Sequence, residues 1–184
     1  MSIARLPRPA LATLILMVVA AVLALATAIS PSVYLALRAE DWFGIGFLLF
    51  LYLVADSNVI PWQFPKLTIT IVVSTGIDIA LVLLFGPAVA LPVAAIAVLT
   101  TELLARKPPV KLLTNVANAV LATAAAGHVF AAIGTVGASP LADGRQVLGW
   151  LLASVAHVLV NGTLLALVIS LVTGARLAAL WRDI

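Results

Sequence analysis

Apolar residues recur in six blocks, at 10–29, 42–60, 68–85, 88–104, 110–133 and 147–173, parted by short polar or Gly/Pro-bearing segments. A helix that crosses a hydrocarbon layer about 30 Å thick needs roughly 20 residues, and the blocks are close to that length. A membrane β-barrel would alternate in segments of about 10 residues instead. The pattern predicts an all-α, polytopic membrane protein. It would be a six-helix transmembrane bundle with short loops, one integral membrane domain over residues 1–184. Local signals mark the boundaries. Asp41 is placed to cap the second helix. Gly86-Pro87 makes a tight turn, and Pro108-Pro109 leads into the fifth helix, since proline suits a first helical position. Residues 174–184 read as a cytoplasmic tail with an interfacial helix anchored by Trp181.

Composition supports the bilayer as solvent. The chain is 64% hydrophobic and 9% charged, with mean hydropathy +1.25, outside the range of soluble domains. The basic residues fall mostly on one side. If the N-terminus is inside, the inner segments hold Arg5, Arg8, Lys66, Arg106, Lys107, Lys111, Arg176 and Arg182, against Arg38 and Arg145 outside. That bias predicts a multi-pass protein of the inner or plasma membrane with both termini cytoplasmic. The net charge of +3 then follows topology, and no nucleic-acid partner is expected. The start, "MSIARLPRPALATLILMVVAAVLALATA", has a signal-peptide shape ending in Ala26-Thr27-Ala28. Its apolar stretch exceeds the usual 7–15 residues, so an uncleaved first helix is expected. The Gly134–Gln146 loop is rich in Gly, Ser and Pro and reads as mobile.

The polar residues inside these blocks carry the chemistry. In "VVSTGIDIALVLLFGP", Asp78 is the single charge, with Thr70 and Ser74 at spacings of four and Thr75 three residues before it. Such spacing places them on one helical face. A carboxylate in a bilayer costs at least about 2.5–3.5 kcal/mol and faces a protein interior. Without a nearby cation, burial favours the neutral acid. Lys111, Asn115 and Asn118 form a second stripe, and Ser154, His157 and Asn161 a third. Asp78, Ser74, Asn115, Asn118, His157 and Asn161 are therefore the candidate ligand-binding or polar interior cluster. Taken singly, Asn, Ser and Thr serve as glue between membrane helices. Glu102, Arg106, Lys107 and Lys111 read as boundary residues that snorkel.

Enzyme signatures are missing from the sequence: there is no H-E-x-x-H, no G-x-S-x-G and no glycine-rich phosphate loop. The chain has no cysteine and two histidines, so no thiolate or histidine metal site is expected, and no cofactor. Ala20, Ala24 and Ala28 form a small-residue ridge, as do Ala122 and Ala126. Such ridges either pack internally or dock another membrane subunit.

Two resemblances bear on function. Lys66 to Gly134, beginning "KLTITIVVSTGIDIALVLLFGP", resembles the N-terminal membrane block of bacterial signalling proteins with HD-type phosphohydrolase or GGDEF output domains. Asp56 with Pro61, the "LTIT" lead, Phe85-Gly86-Pro87, Arg106-Lys107-Pro108 and the Asn115–Asn118 stretch carry that likeness, and "LVTGARLAALWRDI" resembles the segment after the last helix. The likeness covers about Phe47 to Arg182 and implies a non-enzymatic sensor. It would answer to a small ligand or to the membrane state and pass helix shifts to a cytoplasmic output. The chain's size and the Ala20, Ala24 and Ala28 ridge are similar to the substrate-binding S components of energy-coupling-factor transporters. That likeness implies a cavity capped by the Gly134–Gln146 loop and a transmembrane partner subunit. The expected partners are thus the lipid bilayer, a membrane or cytoplasmic protein and a small molecule.

Overall fold

The computed structural model describes residues 6–57, 60–64, 67–71, 74–139 and 141–183, and no side chains from 56 to 73 or at 182 and 183. In chain order the elements are α1 (Arg8–Ala28), α2 (Pro31–Ala36), α3 (Ala39–Ser57), β1 (Ile60–Phe64), β2 (Leu67–Ile71), α4 (Ser74–Phe85), α5 (Pro87–Leu104), α6 (Pro109–Ile133), α7 (Gly144–Thr173) and α8 (Leu177–Asp183). Apart from one hairpin, the fold is helical.

Among the described residues, four helices are long and apolar enough to cross a membrane: α1, α5, α6 and α7. α3 has 19 residues but carries Glu40, Asp41 and Asp56 near its ends. The expected third span, 68–85, is corrected by the backbone. Leu67–Ile71 pairs antiparallel with Ile60–Phe64, and the described helix α4 is Ser74–Phe85. The segment "LTITI" alternates and is rich in β-branched residues, which favour the pleated chain over the helix. The remaining α4 has 12 residues, about 18 Å of helix, too short to span about 30 Å alone.

α6 lies at the centre and packs on α1, α4, α5 and α7. Its Ala122 and Ala126 are fully buried, and so are Ala90, Ala94 and Ala97 of α5. The Ala122 ridge thus serves internal packing, where small side chains let backbones approach. α1 presents Ala10, Leu14, Met17 and Ala21 inward at spacings of three and four. Ala24 and Ala28 pack beside that inner cluster, and Ala20 is half-buried, so the α1 ridge largely faces the bundle.

The helix ends are fixed by local chemistry. Helix α3 starts at Ala39, earlier than expected, and Asp41 is not its cap. Its carboxylate instead accepts a hydrogen bond from the Arg38 backbone N–H at 2.8 Å. Gly86 joins α4 to α5 with φ 76°, a conformation glycine adopts without strain. Gln146 holds the start of the Gly134–Gln146 segment that the sequence marked as mobile. Its side chain accepts from the Thr135 N–H at 3.2 Å and donates to the Thr135 carbonyl at 3.3 Å. Asp143 caps α7 by accepting from the Gln146 N–H.

Pro92 sits inside α5. Proline has no N–H, so the carbonyl four residues earlier, Ala88, loses its ladder donor. The Tyr34 hydroxyl of α2 supplies one, donating to the Ala88 oxygen. Burial holds the Tyr34 hydroxyl above its usual pKa and keeps it a donor. This link ties the α1–α3 connection to the start of α5. Tyr34→Phe is expected to lower stability by about 1 kcal/mol, since it leaves a carbonyl unsatisfied. In a Pro92→Ala background the same substitution should cost little, because the helix supplies its own donor. Unfolding in bicelles across this double-mutant cycle checks the coupling, and equal costs in both backgrounds would refute it.

Candidate functional site

The structure brings the polar stripes together around a cavity of about 270 Å³. Ser74, Thr75 and Asp78 come from the first turns of α4, and Tyr52 from α3. Glu102 and Lys107 come from the end of α5 and the turn after it. Asn115 and Asn118 come from the first half of α6, His157 from the middle of α7, and Asn161 and Leu165 from its second half. All six candidate residues, Ser74, Asp78, Asn115, Asn118, His157 and Asn161, stand on its wall. Thr70 does not join them as a helical neighbour, since its backbone belongs to β2, and its side chain lies outside those described. The side chains of Asp56 and Pro61 are also outside the described ones. Ser154 bonds back to the Trp150 carbonyl of its own helix at 2.9 Å and takes no part.

The cavity has two carboxylate poles. At the first, the Tyr52 hydroxyl donates to Asp78 Oδ2 at 3.2 Å, and His157 Nε2 lies 3.2 Å from the same oxygen. Tyr52, Asp78 and His157 are each only about 2% exposed, so bulk solvent does little to screen this trio. Asp78 stands four residues from the start of α4, in the second turn of a short helix rather than midway along a full span. At the second pole, Glu102 Oε1 accepts from Lys107 Nζ and, at 3.0 Å, from Asn115 Nδ2. Between the poles, Asn118 Nδ2 donates to Asn161 Oδ1 and more weakly to the Asn161 carbonyl at 3.4 Å. Of the partners the sequence offered for Asp78, His157 is adjacent. Asn115 and Asn118 instead bond Glu102 and Asn161.

Sequence reasoning missed Tyr52, Glu102 and Lys107 as cavity residues. Tyr52 was visible as the lone hydroxyl in "FLLFLYLV". Glu102 and Asn115 are brought face to face by the Pro108-Pro109 turn, which no single-helix periodicity reveals. Among the described residues no cluster of His, Cys, Asp and Glu could hold a metal ion.

The cavity lies at the end of the bundle opposite the Gly134–Gln146 segment, and none of that segment's described residues lines it. A more apolar groove of about 400 Å³ runs alongside, between the start of α6 and the end of α7, and shares Lys107 and Asn115.

Long apolar helices enclosing a polar cavity define a multi-pass helical membrane protein. The MASE9 family profile matches residues 32–184, and the chain belongs to that family of membrane-associated sensor domains. The match begins after α1 and covers both carboxylate poles. No curated protein and no solved structure matches the chain.

The two poles should be energetically separate. Combining Tyr52→Phe with Asp78→Asn is expected to show a coupling of about 1–3 kcal/mol, the range for a buried hydrogen bond to a carboxylate. Combining Asn115→Ala with Asp78→Asn should show coupling near zero. Double-mutant cycles on unfolding in bicelles measure both. A large Asn115–Asp78 coupling would merge the poles into one network.

Proposed function

We propose that the chain is a non-enzymatic sensory domain whose polar cavity receives a small ligand from the cytoplasmic side. Occupancy would shift α7 against α6 and pass the shift to the C-terminal helix. Membership of the MASE9 family supports the sensory part. Arg106, Lys107, Lys111 and Arg176 lie at the end of the bundle that holds the cavity mouth, which favours a cytoplasmic mouth and cytoplasmic termini. A ligand with different affinity for two helix arrangements supplies the free energy of the signal.

The observation that carries the coupling is the seat of Trp181. The α7 helix ends at Gly174 in a left-handed cap, φ 74°. The Ser170 hydroxyl donates to the Ala175 carbonyl at 2.7 Å, helping to fix the turn that follows. α8 then returns against α7, and Trp181 packs so closely on Gly162 that an added Cβ would lie 3.2 Å from its ring. Trp181 is therefore not the free interfacial anchor the sequence suggested. Gly162 follows Asn161, the residue bonded to Asn118 in the cavity. A side chain that changes the Asn118–Asn161 bond sits one residue from the seat of the tail.

The resemblance to signalling membrane blocks points to a diguanylate cyclase or an HD-type phosphohydrolase as the output. The transporter reading calls for a cavity capped by the Gly134–Gln146 loop, and the polar cavity lies at the other end. Purification of the full chain from its native membranes is expected to recover a cyclase or HD phosphohydrolase, and to lose it when α8 is removed. Recovery of a transport ATPase instead would favour the transporter. Fluorine NMR of the fluorotryptophan-labelled protein tests the internal path. Asn118→Ala should shift the Trp181 resonance and leave Trp150 in place. An unmoved Trp181 would sink the coupling.

A further inference from the structure

We infer that the cavity selects a small organic ammonium, a positively charged ligand that donates several hydrogen bonds. The inference rests on the sensory reading for its biological use, but its physical basis is the balance of donors and acceptors on the wall.

Four of the wall's donor groups are engaged within the wall, Lys107 by Glu102 among them. Tyr52 gives its hydroxyl proton to Asp78, and Asn115 gives its amide to Glu102. Asn118 gives its amide to Asn161. The backbone carbonyl of Asn161 can only accept, so it fixes Asn118 with Nδ2 toward it and leaves Oδ1 as the outer atom. His157 turns Nε2 to Asp78 Oδ2; in the neutral tautomer that donates there, Nδ1 is an acceptor.

On the cavity wall, Glu102 Oε2 and Asn118 Oδ1 are buried with no hydrogen-bond partner and can only accept, and His157 Nδ1 is buried without a partner as well. The Glu102 side chain is 5% exposed and that of His157 is 3% exposed, so water outside the cavity does not serve them. Burying such groups unsatisfied costs about 1–3 kcal/mol each, more for a charged one. A ligand that brings N–H and O–H donors recovers that energy, whereas an anion or an acceptor-only ligand does not. Charge does not oppose this: Lys107, the one Lys or Arg among the described lining residues, is already paired with Glu102. A volume of about 270 Å³ limits the ligand to a small molecule.

The test uses the full chain in nanodiscs at neutral pH, titrated with ethanolamine, putrescine, propionate or potassium chloride while thermal unfolding is followed. Ethanolamine or putrescine is expected to raise the unfolding midpoint in a saturable way, and propionate and potassium are not. Glu102→Gln should weaken the ammonium effect at least tenfold, whereas Arg145→Gln, at the start of α7 and the other end of the bundle, should leave it unchanged. If Glu102→Gln does not fold, calorimetric titration of the wild type with ethanolamine against propionate decides alone. Equal stabilisation by potassium or propionate, or by none of the four, overturns the inference. The two readings fail separately. Ammonium binding with no change at Trp181 leaves the ligand class standing and removes the sensor. A Trp181 that responds to Asn118→Ala in a protein that binds no ammonium does the reverse.

Discussion

Asp78 on the short α4 meets Tyr52 of α3 and His157 of α7 through one carboxylate oxygen. In a hydrocarbon setting each of these groups must find its partner inside the protein. The contact therefore fixes where three helices, far apart in sequence, can lie. Helix α6 passes beside them as the common packing surface for α1, α4, α5 and α7. The alanines buried in α5 and α6 allow that closeness, and the polar trio sets its register.

The second carboxylate has a different setting. Glu102 closes the α5–α6 turn by taking Lys107 and Asn115 onto one oxygen. Lys107 is 43% exposed at its side chain while Glu102 is 5% exposed, so the pair runs from water to interior. The cavity thus runs from a half-exposed lysine to a buried trio of side chains. Asn118 and Asn161 form the bridge between those ends, and Gly162, next to Asn161, carries Trp181 of the returning C-terminal helix.

Much of this was legible in the sequence, for definable reasons. The helical blocks follow from hydrophobicity and proline placement. The stripe containing Asp78, the Asn115–Asn118 pair and the His157–Asn161 pair follow from the 3.6-residue period. The failures share one cause: each depends on something periodicity does not encode. β-branched alternation in "LTITI" overrode an apolar run and shortened α4. Asp41 bonds backward to Arg38 rather than forward as a cap. Glu102 and Lys107 carry the usual marks of boundary residues, and only the turn at Pro108-Pro109 folds them against Asn115. Tyr52 shows no periodic partner at all, because its partner Asp78 is on another helix.

Pro92 has a mechanical consequence. A helix lacking one ladder bond bends most easily at that place. Glu102 lies ten residues beyond it, about 15 Å along the axis. A tilt of about 4° there carries the carboxylate roughly 1 Å sideways, enough to turn a hydrogen bond of ordinary length into none. The end of α5 therefore behaves as a lever arm, and Tyr34, bonded to the Ala88 carbonyl, is the brake at its fulcrum.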